Sequence, residues 1–212
     1  MVFSLYRRVL FTLFALLAMS TVAEDGVADG QMMYASCSVC HGAKGEGNNS
    51  ANAPALAGQS SRYIARQLSH FKSGLRGSEA GDIFGSQMRS MTAVLVDEKA
   101  ITDVAKYIAT LPTVEVKTMA EGDLRNGNNV YQGNCGSCHG GQGQGNTALN
   151  SPRLASLDRT YIIRQYRNFK AGLRGSHPDD RFGKQMKMMA TSLSAEKDLY
   201  DVIAYLHARA KN

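Results

Sequence analysis

Apolar side chains at Ile64, Leu68, Phe71 and Leu75 fall four, three and four residues apart, one stripe along a single helical face. Ile101, Val104, Ala105, Ile108 and Leu111 repeat the pattern, and Leu199, Val202, Ile203 and Leu206 mirror it near the end of the chain. A further helix is expected to lead into each segment that opens at Cys37 and Cys135. No strand is predicted, so the spacing reads as an all-α fold. Ser194 is the expected N-cap of the last helix, with Glu196 in its first turn. The glycine-rich stretches "GAKGEGNN" and "GGQGQGNT" follow no strand and read as ordinary loops rather than phosphate cradles.

The same elements occur twice. At an offset of 98, "RYIARQLSHFKSGLRGS" (62–78) matches "TYIIRQYRNFKAGLRGS" (160–176), and "FGSQMRSM" (84–91) matches "FGKQMKMM" (182–189). Pro54 matches Pro152, Asp103 matches Asp201, and Tyr107 matches Tyr205. Before the cysteines the offset is 97, pairing Gly30 and Tyr34 with Gly127 and Tyr131. The chain is thus a duplicated domain, with halves over 24–111 and 119–212 and a joint at 112–118, where Pro112 stops the preceding helix. Each half is about 90 residues, a size that buries only about two thirds of its unfolded surface. The chain has no tryptophan and long polar loops, so each half looks short of core. A large apolar group is expected to fill its middle.

Residues 1–23 stand apart. Arg7 and Arg8 precede an apolar run from Val9 to Met19, and small residues close at Ala23, the layout of a secretory leader. The run is too short for the roughly 20 residues that cross a bilayer. The expected mature protein is exported and periplasmic. Losing residues 1–23 removes two arginines and no acid, so the formal charge falls from +6 to +4. Charge of that size is compatible with acidic partners or peripheral membrane attachment, and no Lys/Arg run supports nucleic-acid binding.

The chemistry lies in "CSVCHG" (37–42) and "CGSCHG" (135–140), which hold all four cysteines. Two disulfides or a four-cysteine zinc site would use the thiols but would not explain why His41 and His139 follow both pairs. Cys-x-x-Cys-His is the attachment signature of c-type haem. Residues i and i+3 share a helical face, so both thiols can form thioethers to the vinyl groups along one haem edge. The adjacent histidine turns toward the iron. Two covalent haem c groups are therefore expected, on Cys37, Cys40 and His41 and on Cys135, Cys138 and His139. The sixth ligand must come from elsewhere in each half. His70, His177 and His207 do not repeat and are expected at the surface or in loops. Met88 matches Met186, and Met91 matches Met189; one of each pair is expected to be a ligand and the other packing, and periodicity does not choose between them.

These motifs, "CSVCH…APALAGQS…RYIARQL…FKSGLRG…QMRSM" and their second copy, resemble the dihaem cytochrome c4 family, two fused class I cytochrome c domains, over nearly all of the mature chain. The resemblance implies that the ligand methionine precedes the final helix by about eight residues. This selects Met88, counted back from Val96, and Met186, counted back from Ser194, with Met91 and Met189 as the fallback pair. It also implies that Pro54 and Pro152 offer backbone carbonyls to His41 and His139. The resemblance further suggests haem propionates as partners for Tyr63 and Tyr161, Arg66 and Arg164, and Lys72 and Lys170, although taken singly these arginines and lysines read as a solvated helix face. Tyr107 and Tyr205 read as packing.

The expected function is a periplasmic one-electron carrier, not an enzyme, passing electrons between respiratory donors and a terminal reductase or oxidase. A neutral, soft thioether opposite histidine closes the iron and raises its potential. The alternative is the electron-accepting cytochrome subunit of a flavoprotein dehydrogenase complex. A dihaem peroxidase or gas sensor needs an open distal position, and the matched methionines argue against it. Redox proteins (an oxidase, a reductase or a quinol-oxidising complex) are the expected partners. Differences such as His70 against Asn168 are expected to make the two potentials unequal.

Overall fold

The computed structural model describes residues 26–116 and 120–210. The leader expected over 1–23 and the end of the joint expected over 112–118 lie outside the described residues. Helix α1 runs over 26–41, α2 over Ser61–Ser73, α3 over Ile83–Met91 with a 3-10 turn at Thr92–Val94, and α4 over Glu98–Thr110. In the second half α5 (Leu124–Asn134) and the short α6 (Gly136–His139) take the place of α1. They are followed by α7 (Arg159–Ala171), α8 (Arg181–Met189) and α9 (Glu196–Arg209). Among the described residues the only extended pairing is one antiparallel bridge in each loop, Asn48 with Ala53 and Asn146 with Ser151.

The stripes read from sequence are core. Ile64, Phe71, Ile101, Val104, Ala105 and Ile108 are buried in the first half, and Leu199, Val202, Ile203 and Leu206 in the second. Each such side chain stabilises the fold by about 1.5–3 kcal/mol when fully buried. Leu75 lies beyond the end of α2, where Gly74 takes a left-handed turn at φ 80°. Helices α3 and α8 are additions to the sequence reading. They place Met88 with Met91, and Met186 with Met189, on one helical face, since residues three apart are neighbours on a helix.

Carboxylates cap most of these helices. Asp82 and Asp180 accept the amides of Gly85 (3.0 Å) and Gly183 (2.8 Å), and Asp97 accepts that of Ala100 at 2.8 Å. The polar start of α4 is therefore Asp97, not Val96. Ser194 is not the cap of α9: the N-cap is Ala195, whose amide donates to Asp198 Oδ2 at 3.3 Å. A longer-range reach from the first turn has replaced the local hydroxyl.

Glycine sets how closely the terminal helices cross. A Cβ on Gly30 would lie 2.1 Å from the Asp103 carbonyl oxygen, and one on Gly127 would lie 2.0 Å from that of Asp201. The crossing is locked by tilted aromatic pairs, Tyr34 with Tyr107 (5.4 Å) and Tyr131 with Tyr205 (5.5 Å), which bears out the packing role expected of Tyr107 and Tyr205. Gly127→Ala forces α5 off α9 and should cost about 3 kcal/mol or more, read as a lowered denaturation midpoint of the holoprotein.

One histidine expected near the surface is instead buried and a second is half-buried. His177 does sit half-exposed in the loop before α8, but His70 is half-buried against the second half and His207 has no solvent exposure. His207 Nδ1 accepts the Ala120 amide at 3.2 Å, so its Nε2–H donates to the Leu157 carbonyl at 3.0 Å. Burial pushes this imidazole below its ordinary range, only partly offset by the Leu157 carbonyl. A folded-state value below the unfolded one stabilises the protein above about pH 6.5 and withdraws that stability as pH falls through the folded value. His207→Gln should lower stability by about 2–4 kcal/mol at pH 7 through unpaired buried groups. The gap to wild type should narrow below pH 6, as denaturant melts across pH would show.

Candidate functional site

In the first half, the last turn of α1 presents Cys37, Cys40 and His41 to one cavity. In the second half, a break at Cys135 between α5 and α6 does the same for Cys135, Cys138 and His139. The four thiols form no disulfide, and the pairs line separate cavities, so neither the two-disulfide nor the four-cysteine zinc reading describes the site. Burial pushes the Cys37 thiol up and carries that of Cys135 to about 11. Both are therefore held as thiols, the form that adds across a vinyl group to give a thioether.

Each histidine is 5% exposed. His41 Nδ1–H donates to the Pro54 carbonyl at 2.9 Å and His139 Nδ1–H to the Pro152 carbonyl at 3.0 Å. Burial holds both imidazoles below their ordinary pKa against the opposing pull of the proline carbonyl. A neutral ring whose Nδ1 carries the proton leaves the Nε2 lone pair free for a metal. Tyr34 and Tyr131 hydroxyls donate to the Gly42 and Gly140 carbonyls at 2.8 and 2.7 Å, pinning the turn just after each histidine. These two tyrosines were recognised from sequence only as repeat partners.

Met88 and Met91 line the first cavity, Met186 and Met189 the second. Met88 and Met186 are half-buried, whereas Met91 is 43% and Met189 38% exposed at the cavity mouths. The cavities hold about 1350 and 1490 Å³ of empty space, counting their openings. This is the missing core that the composition called for.

The inner walls of the two cavities are shared. Tyr63, Gln67, Tyr161 and Gln165 line both. Arg76 donates to Gln67 Oε1 (2.6 Å) and Gln165 Oε1 (3.1 Å), while Arg174 donates to Gln165 Oε1 (2.8 Å) and Gln67 Oε1 (2.9 Å). This closes a ring across the interface. Arg66 reaches the Asn150 carbonyl (2.8 Å) and lies 4.4 Å over the Phe182 ring. Symmetrically, Arg164 reaches the Asn52 carbonyl (2.7 Å) and lies 4.5 Å over Phe84. Asn52 and Asn150 sit at φ 55° and 56°, a left-handed turn that asparagine tolerates and that aims each carbonyl at the arginine. The expectation that Arg66 and Arg164 lie on a solvated helix face is therefore overturned, because duplication places those faces against each other. Lys72 instead donates to the Leu95 carbonyl, and Lys170 is exposed.

Haem suits this construction. Arg66 Nε and Nη1, Arg76 Nε and Arg164 Nε are buried without a protein partner. Buried donors left unpaired are costly, and the propionates of a haem would supply acceptors for these nitrogens. Burial raises the Tyr161 hydroxyl, but the Arg76, Arg174 and Arg164 guanidiniums outweigh it and hold the pKa below its ordinary value. Arg76, Arg174, Gln67, Gln165, Asp82 and Asp180 were not picked from sequence as functional. The available signal was that each recurs at the offset of 98.

The surfaces differ. Val94 lines the first cavity and is exposed, as are Val39 and Val96, and Ser137, Ser192 and Ser194 occupy the matched positions of the second half. Helix α8 carries Arg181, Lys184 and Lys187 where α3 carries Ile83, Ser86 and Arg89.

The cytochrome c family model matches residues 27–112 and again 124–209. The chain is 31% identical over 199 residues to cytochrome c4 of Azotobacter vinelandii, covering 87% of this chain and 89% of that one. It is 32% identical over 154 residues to the thiosulfate dehydrogenase electron acceptor of Thiomonas intermedia, 68% of this chain and 67% of that one. The structure of reduced cytochrome c4 from Pseudomonas stutzeri superposes with a TM-score of 0.67 at 25% identity, covering 85% of this chain and 97% of the other. Paired thiols beside a buried, oriented imidazole thus occur twice in a chain whose two halves each match the cytochrome c family model, and the protein belongs to the cytochrome c family as a dihaem electron carrier of the cytochrome c4 kind, holding two haem c groups and not acting as an enzyme.

Proposed function

We propose that this protein is a periplasmic one-electron carrier in which Cys37 and Cys40, and Cys135 and Cys138, form the haem thioethers. His41 and His139 are the proximal iron ligands, and Met88 and Met186 the distal ones. The observation that carries this reading is the pair of buried imidazoles whose Nδ1–H is committed to Pro54 and Pro152, which leaves Nε2 for the iron. Haem supplies a one-electron iron couple. The protein's part would be to hold the iron through histidine and methionine, keep water from the apolar cavity and offer the unpaired arginine nitrogens to the propionates. Met88 and Met186 are favoured over Met91 and Met189 because they are the more enclosed member of each pair, and because a soft thioether is best held where rotamer freedom is already restricted. The leader-like residues 1–23 support export, with the domains spanning 24–111 and 119–212.

The unlike surfaces of the two halves give the two ends of the molecule different contact chemistry, which suits a carrier that receives electrons at one end and delivers them at the other to an oxidase, a reductase or a quinol-oxidising complex. The alternative, a cytochrome subunit of a dehydrogenase complex, draws on the likeness to the Thiomonas protein. Stable co-purification with a second polypeptide would favour it.

The reduced visible spectrum of the holoprotein should not change on adding carbon monoxide, since both irons are closed. A shift in half or all of the haem signal would bring back the peroxidase or sensor reading. Met88→Ala and Met186→Ala should each expose one haem to carbon monoxide, about half of the signal, while Met91→Ala and Met189→Ala should leave it closed. The reverse result would make Met91 and Met189 the ligands.

A further inference from the structure

Positions 70 and 168 match in the repeat and make the same contact in opposite directions across the interface. Asn168 Nδ2 donates to Asp82 Oδ1 at 3.2 Å. His70 Nδ1 lies 3.6 Å from Asp180 Oδ1, an ion-pair distance longer than a hydrogen bond, and Nδ1 is buried with no hydrogen-bond partner. The His70 side chain is 14% exposed and that of Asp180 6%. Both carboxylates also receive the amide at the head of the helix that bears the methionine pair, Asp82 that of Gly85 and Asp180 that of Gly183. Asp180 itself lines the second haem cavity. The geometry is therefore shared, and the chemistry is not: imidazole takes up a proton near neutral pH and an amide does not.

We propose that His70 is a positioning residue that links one proton to the second haem. It acts across the interface through Asp180, and Asn168 leaves the first haem without such a link. This goes beyond the carrier reading and rests on it only in requiring two closed haems, not on which methionine closes them.

The charged groups facing His70 are Asp180 from the loop before α8, Arg66 from its own helix, Arg76 from the loop after α2 and Arg174 from the loop after α7. Burial and the three guanidiniums hold its pKa below the ordinary imidazole range against the pull of Asp180. The ring is thus neutral at pH 7 and takes a proton only below the ordinary imidazole range. A proton on Nδ1 completes the contact with Asp180 and adds positive charge beside the second cavity, which favours the ferrous state. By reciprocity, reduction favours protonation. The balance is one electron from the donor to the haem and up to one proton from water to His70. The potential of the second haem should therefore rise as pH falls through this window and stay level above it, so that the gap between the haems becomes a function of pH.

The test is spectroelectrochemical titration of the holoprotein from about pH 4.5 to about pH 8.5, bracketing the imidazole range. It reads the mean of the two midpoint potentials and each one where the waves separate. Wild type should show a fall with rising pH below about pH 6.5, equivalent to a change of about 5-fold or more in the reduction equilibrium. His70→Asn should remove that component, and Asn168→His should add a matching one to the first haem. A His70→Asn protein that keeps the wild-type pH profile, or one displaced by the same amount at every pH, would overturn the proposal and leave His70 a packing residue. Should His70→Asn fail to fold with haem, His70→Gln and Asn168→His carry the test, and an Asn168→His profile identical to wild type would overturn it. Carbon monoxide binding by the unmodified protein would signal failure of the carrier reading instead, independently of any pH profile.

Discussion

Each half of this protein is organised around one hydrogen bond, from a buried imidazole Nδ1–H to a proline carbonyl. A buried imidazole is more stable neutral, and a neutral imidazole can carry its proton on either nitrogen. The carbonyl decides which. Once Nδ1 is taken, Nε2 is a lone pair aimed at the cavity, and other features of the half keep that direction constant. Tyr34 and Tyr131 hold the turn after the histidine, the glycine crossings bring the terminal helices into contact so that those tyrosines pack on Tyr107 and Tyr205, and the methionine-bearing helices form part of the cavity wall.

Duplication created a second requirement. Helices α2 and α7, carrying Arg66 and Arg164, and the loops after them, carrying Arg76 and Arg174, meet where the halves join, so the joint concentrates positive charge that Asp82, Asp158 and Asp180 offset. Arg–Gln bonds, asparagine carbonyls and aromatic faces occupy many of the guanidinium donors. The remainder are left to an anionic cofactor edge. Cofactor binding and domain docking are thereby coupled, because the same arginines serve both. An arrangement of this kind gives a rigid two-site module rather than two beads on a string.

Near-symmetry makes the exceptions informative. Exposed Val39, Val94 and Val96 against three serines distinguish the surfaces of the two halves, and His70 against Asn168 distinguishes the two matched contacts across the interface. The first difference concerns what each end can touch. The second places a titratable imidazole where the other half has an amide, and such a group in a partly buried setting acts at a strength it would not have in water.

Much of this was legible in the sequence for local reasons. Cys-x-x-Cys-His states its chemistry by spacing, the apolar stripes state the helices, and internal matching states the domain count, because each depends on residues a few positions apart or on simple repetition. Pro54, Pro152 and the methionine pairs were found by combining the repeat with family likeness. The helix start at Asp97 and the cap at Ala195 were each missed by one residue, since caps depend on backbone geometry that hydropathy does not report. The larger misreadings were Arg66, Arg164, His70 and His207, all charged or polar side chains on helices that read as surface. Their burial follows from how one half docks on the other and where the linker returns. These are contacts between residues 50 to 112 positions apart. The sequence alone determined the number, type and attachment of the haems; only the tertiary structure decided which arginines meet where the halves join and that His70 faces Asp180 there, because those contacts join residues far apart in the chain.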